Sequence, residues 1–383
     1  MQECWPDIHQ TTPDRKIAAM NRRDLLTGIG ATALTTSVPT SACSAAQGLT
    51  FEQRVGRMLL LGFIGDNPDT DGADTVAEHL AEGRIGGVLF LRHNVRSRDG
   101  VEALAARFRA IRPDAWLAID QEGGAVQRLS EDLGYTAIPR AYNVLQTVNA
   151  DQARSLYASA ATEFREAGFN MNLAPVADVQ DDANGVIGRW GRGYGDDPQT
   201  IAAYAGAFID AFEAEGAACA IKHFPGHGRS RGDSHSGFVD ITESWSESEL
   251  EPFRRLIESD HAHLIMGGHL THSGLDPAGV PVTFSRPILG DLLRGQMGFD
   301  GALVTDDLDM GAIRENYSQR DAVIRSIAAG NDMVMMSNSA APDPELPQKF
   351  AQWIGEAIEA GTFDEAHIER SLQRLDRLKA RVA

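Results

Sequence analysis

Residues 217–237 read AACAIKHFPGHGRSRGDSHSG. An apolar run, Ala217 to Ile221, stops at Lys222 and His223 and gives way to a polar segment containing Gly226, Gly228, Gly232 and Gly237. The run has the character of a strand buried on both faces, and the segment after it is a loop by composition. Buried strands that deliver into polar, glycine-rich loops are where functional groups tend to stand. Lys222 and His223 sit at the strand mouth, and Asp233 lies two residues before His235. In an extended segment, side chains two apart project to one side, so the Asp233 carboxylate can orient the His235 imidazole and select its tautomer. A solvated turn built on Asp-Ser accounts for the same residues more blandly. The rest of the chain has to decide between them.

The same alternation recurs on either side. From Leu49 onward, short apolar runs occur at Met58–Phe63, Gly87–Leu91, Trp116–Ile119, Phe169–Leu173, Ala217–Ile221, His263–Met266, Ala302–Val304 and Asp332–Met336. Amphipathic helical patterns separate them, as at Val101–Ile111, Asp151–Ala167 and Gln199–Glu215. Eight strand–helix units over about 335 residues predict an α/β fold, a single (β/α)8 TIM-type barrel. An open, doubly wound sheet is the competing architecture, but no glycine-rich dinucleotide fingerprint follows the first run. Polar residues follow the runs repeatedly: Asp120-Gln121-Glu122-Gly123-Gly124, Val176-Ala177-Asp178, Lys222-His223, Gly267-Gly268-His269 and Thr305-Asp306-Asp307. The carboxyl ends of the strands are the face on which barrel enzymes assemble their sites.

Bulk properties narrow the function further. A net charge of −19 argues against nucleic acid or an anionic membrane surface as a partner. Cys4, Cys43 and Cys219 are too scattered for a disulfide framework or a metal cluster, and Cys219 reads as a small core residue. Residues 1–48 read as an export signal and linker. Arg22-Arg23 precede a short, mildly apolar segment in the twin-arginine manner, which places translation start at Met20 and predicts an exported protein rather than a cytoplasmic one. Thr40-Ser41-Ala42-Cys43 is similar to a lipidation site, lacking only its usual leading leucine. Any membrane association would therefore run through Cys43. The catalytic barrel is expected over 49–383, with oligomeric state left open.

Chemistry enters with Asp306. Adjacent carboxylates at a strand end point in different directions, so only Asp306 is expected to face the mouth, with Asp307 capping a helix or solvated. A carboxylate at the mouth with a separate proton donor is the equipment of a retaining glycosidase. An imidazole titrating near neutrality can be that donor.

Lys222-His223-Phe224-Pro225-Gly226-His227-Gly228, followed by Asp233-Ser234-His235, resembles the signature of family 3 glycoside hydrolases, specifically their β-N-acetylglucosaminidase branch. Asp120 to Gly124, Val176 to Val179 and Thr305 to Met310 are similar to that branch's other motifs, in the same order, and the likeness spans Leu49 to Ala383. The resemblance implies Asp306 as nucleophile and His235, assisted by Asp233, as acid/base on a segment whose glycines let it close over a sugar. It also implies sugar contacts from Asp120, Arg128, Arg192, Lys222 and His223, with no cofactor and no metal. The expected activity is exo-hydrolysis of terminal β-linked N-acetylglucosamine from a small carbohydrate or muropeptide, with peptidoglycan fragments as the source. A β-glucosidase or β-xylosidase of the same family, a phosphate-using glycosidase and a non-catalytic sugar-binding lipoprotein are the alternatives.

Some residues depart from the family pattern or fit it without a role. Ala125 stands where the family has arginine, and Arg189 precedes Arg192, which leaves two candidates for one contact; Asp197-Pro198 downstream favours Arg192. His227 is expected only to shape its loop, and His269 to satisfy a hydrogen bond at the mouth. His261 and His263 prompt a metal-hydrolase reading, but they precede their strand on the face away from the mouth.

Overall fold

The computed structural model describes residues 48–232 and 237–383. All eight apolar runs become parallel strands of one sheet: β1 (Leu59–Gly62), β2 (Gly87–Phe90), β3 (Trp116–Ile119), β4 (Met171–Asn172), β5 (Ala218–Phe224), β6 (Leu264–Gly267), β7 (Ala302–Thr305) and β8 (Val334–Met336). They lie in chain order, with Leu59 opposite Val334 joining β1 to β8. The ring closes between β7 and β8, where Val304 bridges Met333 and Thr305 N donates to Met333 O at 3.1 Å. Strands with both faces covered read as continuous apolar runs, and every residue of β5 and β7 is buried.

The intervening segments form the outer layer: α1 (Asp71–Glu82), α2 (Arg98–Ile111), α3 (Ala150–Glu166), α4 (Pro198–Ala214), α5 (Glu251–Glu258), α6 (Pro287–Gln296), α7 (Gln319–Ala329), α8 (Leu346–Glu359) and α9 (Glu365–Arg381). Their boundaries follow local chemistry. Ser97 Oγ accepts the Gly100 N–H at the start of α2, Asn149 and Gln152 form a reciprocal capping box on α3, and Asp197 caps α4 with Pro198 at its first position. Alanines along the buried faces of α3 and α4 bring those helices close, and Tyr157 meets Phe208 edge-on at 4.8 Å between ring centroids. The exception is α6, wound as a π-helix. Its side-chain spacing does not distinguish that winding from an α-helix.

The structure corrects one expectation about where a strand ends. Lys222 and His223 lie within β5, which runs on to Phe224, rather than beyond it. Pairing with β6 is irregular between Ile221 and Phe224: Ile221 faces Ile265 and Phe224 faces Gly267, so β5 carries one extra residue. In a regular strand, consecutive side chains point to opposite faces. A bulge re-aims one of them, and here both Lys222 and His223 reach the barrel mouth. Cys219 is buried in β5 as expected. The twin-arginine pattern and Cys43 lie outside the described residues.

Candidate active site

At the carboxyl ends of the strands lies a pocket of about 250 Å3 lined by Asp120, Glu122, Arg128, Arg192, Lys222, His223, His227, Asp306 and Asp307, with an apolar wall that includes Leu89, Met266 and Met335. Six of the eight site residues read from the sequence therefore converge: Asp120, Arg128, Arg192, Lys222, His223 and Asp306. Asp233 and His235 lie outside the described residues.

One wall is a charged cluster. After β3 the chain forms a short antiparallel ladder, Gln121–Gly123 with Val126–Gln127. Asp120 and Glu122, two apart, share one side, while Gln121 turns the other way and pins the ladder. Its Oε1 accepts the N–H groups of Arg128 and Leu129, both at 3.0 Å, and its Nε2 donates to Leu129 O at 2.9 Å. Asn172 at the end of β4 holds the same residue through its backbone, accepting from Gln121 N at 3.1 Å and donating to Gln121 O at 3.1 Å. Thus fixed, Asp120 accepts from Lys222 Nζ at 2.8 Å and from Arg128 Nη2 at 3.2 Å. Glu122 takes Lys222 Nζ at 2.7 Å and a two-pronged bond from Arg192, 2.8 Å on each arm.

Burial alone would push both carboxyls up. Lys222 and Arg128 instead hold Asp120 far below the ordinary carboxylate range, and Arg192 with Lys222 hold Glu122 down at about 2. Desolvation works against Lys222 too, and Asp120 and Glu122 outweigh it, so its ammonium is held charged. Of the two arginines near 190, Arg192 lines the pocket; Arg189 is exposed beside the Trp190 ring.

A second cluster orients His223. Asp178, fully buried after β4, accepts from His223 Nδ1 at 2.6 Å, from the His223 N–H at 3.2 Å and from the His227 N–H at 2.8 Å. Nδ1 of His223 therefore carries a proton, which leaves Nε2 available to a ligand. Burial opposes ionisation of Asp178, yet the His223 ring holds its carboxyl below the usual value. His227 shapes its loop, as expected: Nδ1 meets Ser230 Oγ at 2.6 Å and its carbonyl accepts from Asn184 Nδ2 at 2.8 Å. Burial and the neighbouring His223 lower His227 to about 4, so it is neutral.

Beneath that loop, Glu249 accepts the N–H groups of Gly228 at 3.0 Å and Arg229 at 3.3 Å. Burial and the nearby Asp178 raise Glu249 to about 7. Gly226, at φ +123°, passes directly over it, and a Cβ there would stand 2.6 Å from the Glu249 Cβ.

Asp306 stands just beyond β7. One oxygen accepts the Asp307 N–H at 2.8 Å. Burial is outweighed by the His269 and His223 rings, so Asp306 is held below the ordinary carboxylate range and is ionised at neutral pH. His269 meets Thr283 Oγ1 at 2.7 Å through Nδ1 and donates to Asp307 O at 2.9 Å through Nε2. The expectation for Asp307 is corrected. It lines the pocket and neither caps a helix nor sits in solvent, because its Oδ1 accepts from Asp309 N at 3.0 Å and Ser337 N at 2.9 Å. Burial and the Asp309 charge raise it to about 7. An ionised carboxylate in a pocket of this size, ringed by charged hydrogen-bonding groups, can attack an electrophilic carbon while the ring holds hydroxyls.

Glu122, Asp178 and Glu249 carry the arrangement without having been assigned a part in it. Glu122 and Asp178 do follow apolar runs, so their place at the mouth was readable. Glu249 gave no signal, because it lies on a segment far from any strand end. His261 sits 3.3 Å from Asp210 and His263 3.8 Å from Glu213. Both precede β6, on the face opposite the pocket.

Residues 50–378 match the family described as the glycosyl hydrolase family 3 N-terminal domain. A β-hexosaminidase of Pseudomonas aeruginosa is 36% identical over 266 residues, covering 68% of this chain and 78% of that one. The structure of a glycoside hydrolase family 3 β-N-acetylglucosaminidase from Paenibacillus sp. superposes with a TM-score of 0.79 at 31% identity; the match covers 87% of this chain but only 63% of that longer one. A β-N-acetylhexosaminidase from Beutenbergia cavernae superposes with a TM-score of 0.76 at 29% identity, over 87% of this chain and 99% of that one. On the family match and the barrel with its ionised mouth carboxylate, the chain belongs to glycoside hydrolase family 3.

Proposed function

We propose that this protein is a retaining exo-β-N-acetylhexosaminidase that releases terminal β-linked N-acetylglucosamine, with peptidoglycan fragments as the source. The observation that carries the reading is the Asp306 carboxylate, held ionised in a pocket of about 250 Å3. That is below the usual volume of small-molecule sites and suits one terminal sugar better than the interior of a chain. The names borne by the relatives supply the N-acetylhexosamine specificity.

In the reaction, Asp306 attacks the anomeric carbon as the bond to the leaving oxygen breaks. His235 gives that oxygen its proton, with Asp233 holding the imidazole. A water then passes a proton to His235 and attacks the same carbon, which frees Asp306 and inverts the centre a second time. Asp120, Arg128, Arg192, Lys222 and His223 hold the sugar hydroxyls during both steps. His235 and Asp233 enter from the sequence motif, and export through the N-terminal signal belongs to the same proposal.

A fluorinated N-acetylglucosaminide that keeps the 2-acetamido group and traps the intermediate, followed by peptide mapping, tests the nucleophile; a label on any residue but Asp306 refutes it. Parallel turnover of aryl N-acetylglucosaminide and aryl glucoside tests the sugar, and equal or faster glucoside cleavage would move the protein to the β-glucosidase branch.

A further inference from the structure

A second cavity, of about 450 Å3, adjoins the sugar pocket. Arg128 lines both and so stands between them. Arg92 and Arg96 stand on its wall, Asp132 is its one carboxylate among the described residues, and Ala125 contributes no more than a methyl group where a long side chain would fill the space. Arg128 gives Asp120 a single contact, through Nη2. Neither Arg92 nor Arg96 makes an ion pair or a side-chain hydrogen bond among the described residues, although the chain has 54 acidic residues to 35 lysines and arginines. Arg140, Arg286 and Arg314 are also unpaired among the described residues; what sets Arg92 and Arg96 apart is that both line the cavity that shares Arg128 with the sugar pocket.

Their backbone is held rigid. Asn94, between them and fully buried, donates to Phe63 O at 3.0 Å and Gly65 O at 2.7 Å, and accepts from Leu91 N at 2.8 Å. Val95 is buried, and Ser97 begins α2 by capping it. Only the two cationic side chains are left to move, on a fixed base at the rim of the pocket. Guanidiniums suit a planar or tetrahedral oxyanion, which they bind with charge-assisted, two-pronged hydrogen bonds.

We infer that Arg92, Arg96 and Arg128 form a subsite for an anionic group carried by the substrate, a carboxylate or phosphate, next to the sugar-binding pocket. The subsite rests on the glycosidase reading and adds to it a charge requirement. The anion has two sources, the leaving group or the 6-position of the bound sugar.

The test uses the full chain and the double variant Arg92→Ala/Arg96→Ala, neither residue being part of the sugar-binding cluster. Substrates are the 3-carboxyphenyl and 3-carbamoylphenyl N-acetyl-β-glucosaminides for the first source, and an aryl N-acetylglucosaminide with and without a 6-phosphate for the second. Comparing each pair in both proteins cancels the intrinsic reactivity of the leaving groups. The wild type should favour the anionic member of one pair by about tenfold in kcat/KM. That preference should shrink as salt is raised and vanish in the double variant, whose turnover of the neutral members stays within about twofold. The pair that shows the preference identifies the source. The inference is overturned if neither pair shows a preference in the wild type, or if the preference survives the double variant. Absence of turnover on the neutral members would instead count against the glycosidase reading, and calorimetric Kd values on the same pairs would then supply the ratios.

Discussion

Lys222→Met isolates what holds the pocket wall. The side chains are similar in length, so the change removes a charge and little volume. Nζ stands 2.8 Å from Asp120 and 2.7 Å from Glu122, and the lysine side chain is only 4% exposed. Removing one partner of a buried ion pair costs about 3–5 kcal/mol. Arg128 and Arg192 remain on the two carboxylates, which places the loss near the lower limit, about 3 kcal/mol. With an unfolding entropy of about 2 cal/mol/K per residue, a barrel of this size has roughly 0.7 kcal/mol per kelvin at its midpoint, so Tm should fall by about 4 °C. The loss of a charged hydrogen bond to a sugar hydroxyl, about 1.5–3 kcal/mol, should lower kcat/KM by about 10- to 100-fold.

The pH dependence of that Tm deficit has a definite sign. Glu122 is depressed to about 2 in the folded protein against 4.5 ordinarily, and Asp120 is depressed as well. Their contribution is present above the unfolded values and is lost as pH falls through the folded ones. The Tm deficit of Lys222→Met should therefore be full at neutral pH and shrink as the pH drops below about 4.5. Scanning calorimetry between pH 3 and 8, with steady-state kinetics on an aryl N-acetylglucosaminide, measures both quantities. A variant with wild-type Tm and wild-type kcat/KM at neutral pH would refute the idea that Lys222 is the shared counter-ion of this wall.

Three further outcomes follow from the same geometry. Asp306→Asn should lose turnover by about 10^4-fold while keeping its Tm and its affinity for N-acetylglucosamine; preserved turnover would remove Asp306 from the chemistry. Glu249, raised to about 7, destabilises the fold as pH climbs from its unfolded value through 7, because the folded state holds its proton more tightly. Glu249→Gln should consequently gain Tm relative to wild type between pH 5 and 8, and a pH-independent difference would argue that Glu249 is not titrating there. Exhaustive dialysis against a chelator should leave kcat/KM unchanged on the nucleophile reading, and metal-restorable loss would oppose it.

The barrel was legible because its signal is local. A strand buried on both faces must be apolar along its length, and a helix against it must repeat every three to four residues, so short windows such as Trp116–Ile119 and Val101–Ile111 reveal themselves. Placing Asp120, Lys222 and Asp306 at one mouth needed only the rule that the carboxyl ends of the strands share a face. The reading failed where position on a face does not settle a side chain's partner. Asp307 was expected to be capping or solvated, and it is drawn in by the Ser337 N–H of the neighbouring strand end. Consecutive Lys222 and His223 reach one pocket where β5 carries an extra residue.

By itself, then, the chain determined its strand–helix alternation, its family and most of the polar residues at the mouth, since each depends on neighbours within a few positions. Only closure of the barrel decided how those residues pair: Lys222 with Asp120 across 102 positions, Arg192 with Glu122 across 70, His223 with Asp178 across 45. Coulombic interaction depends on distance in space rather than along the chain. The lowering of Asp306 by the His269 and His223 rings is accordingly a property of the folded ring.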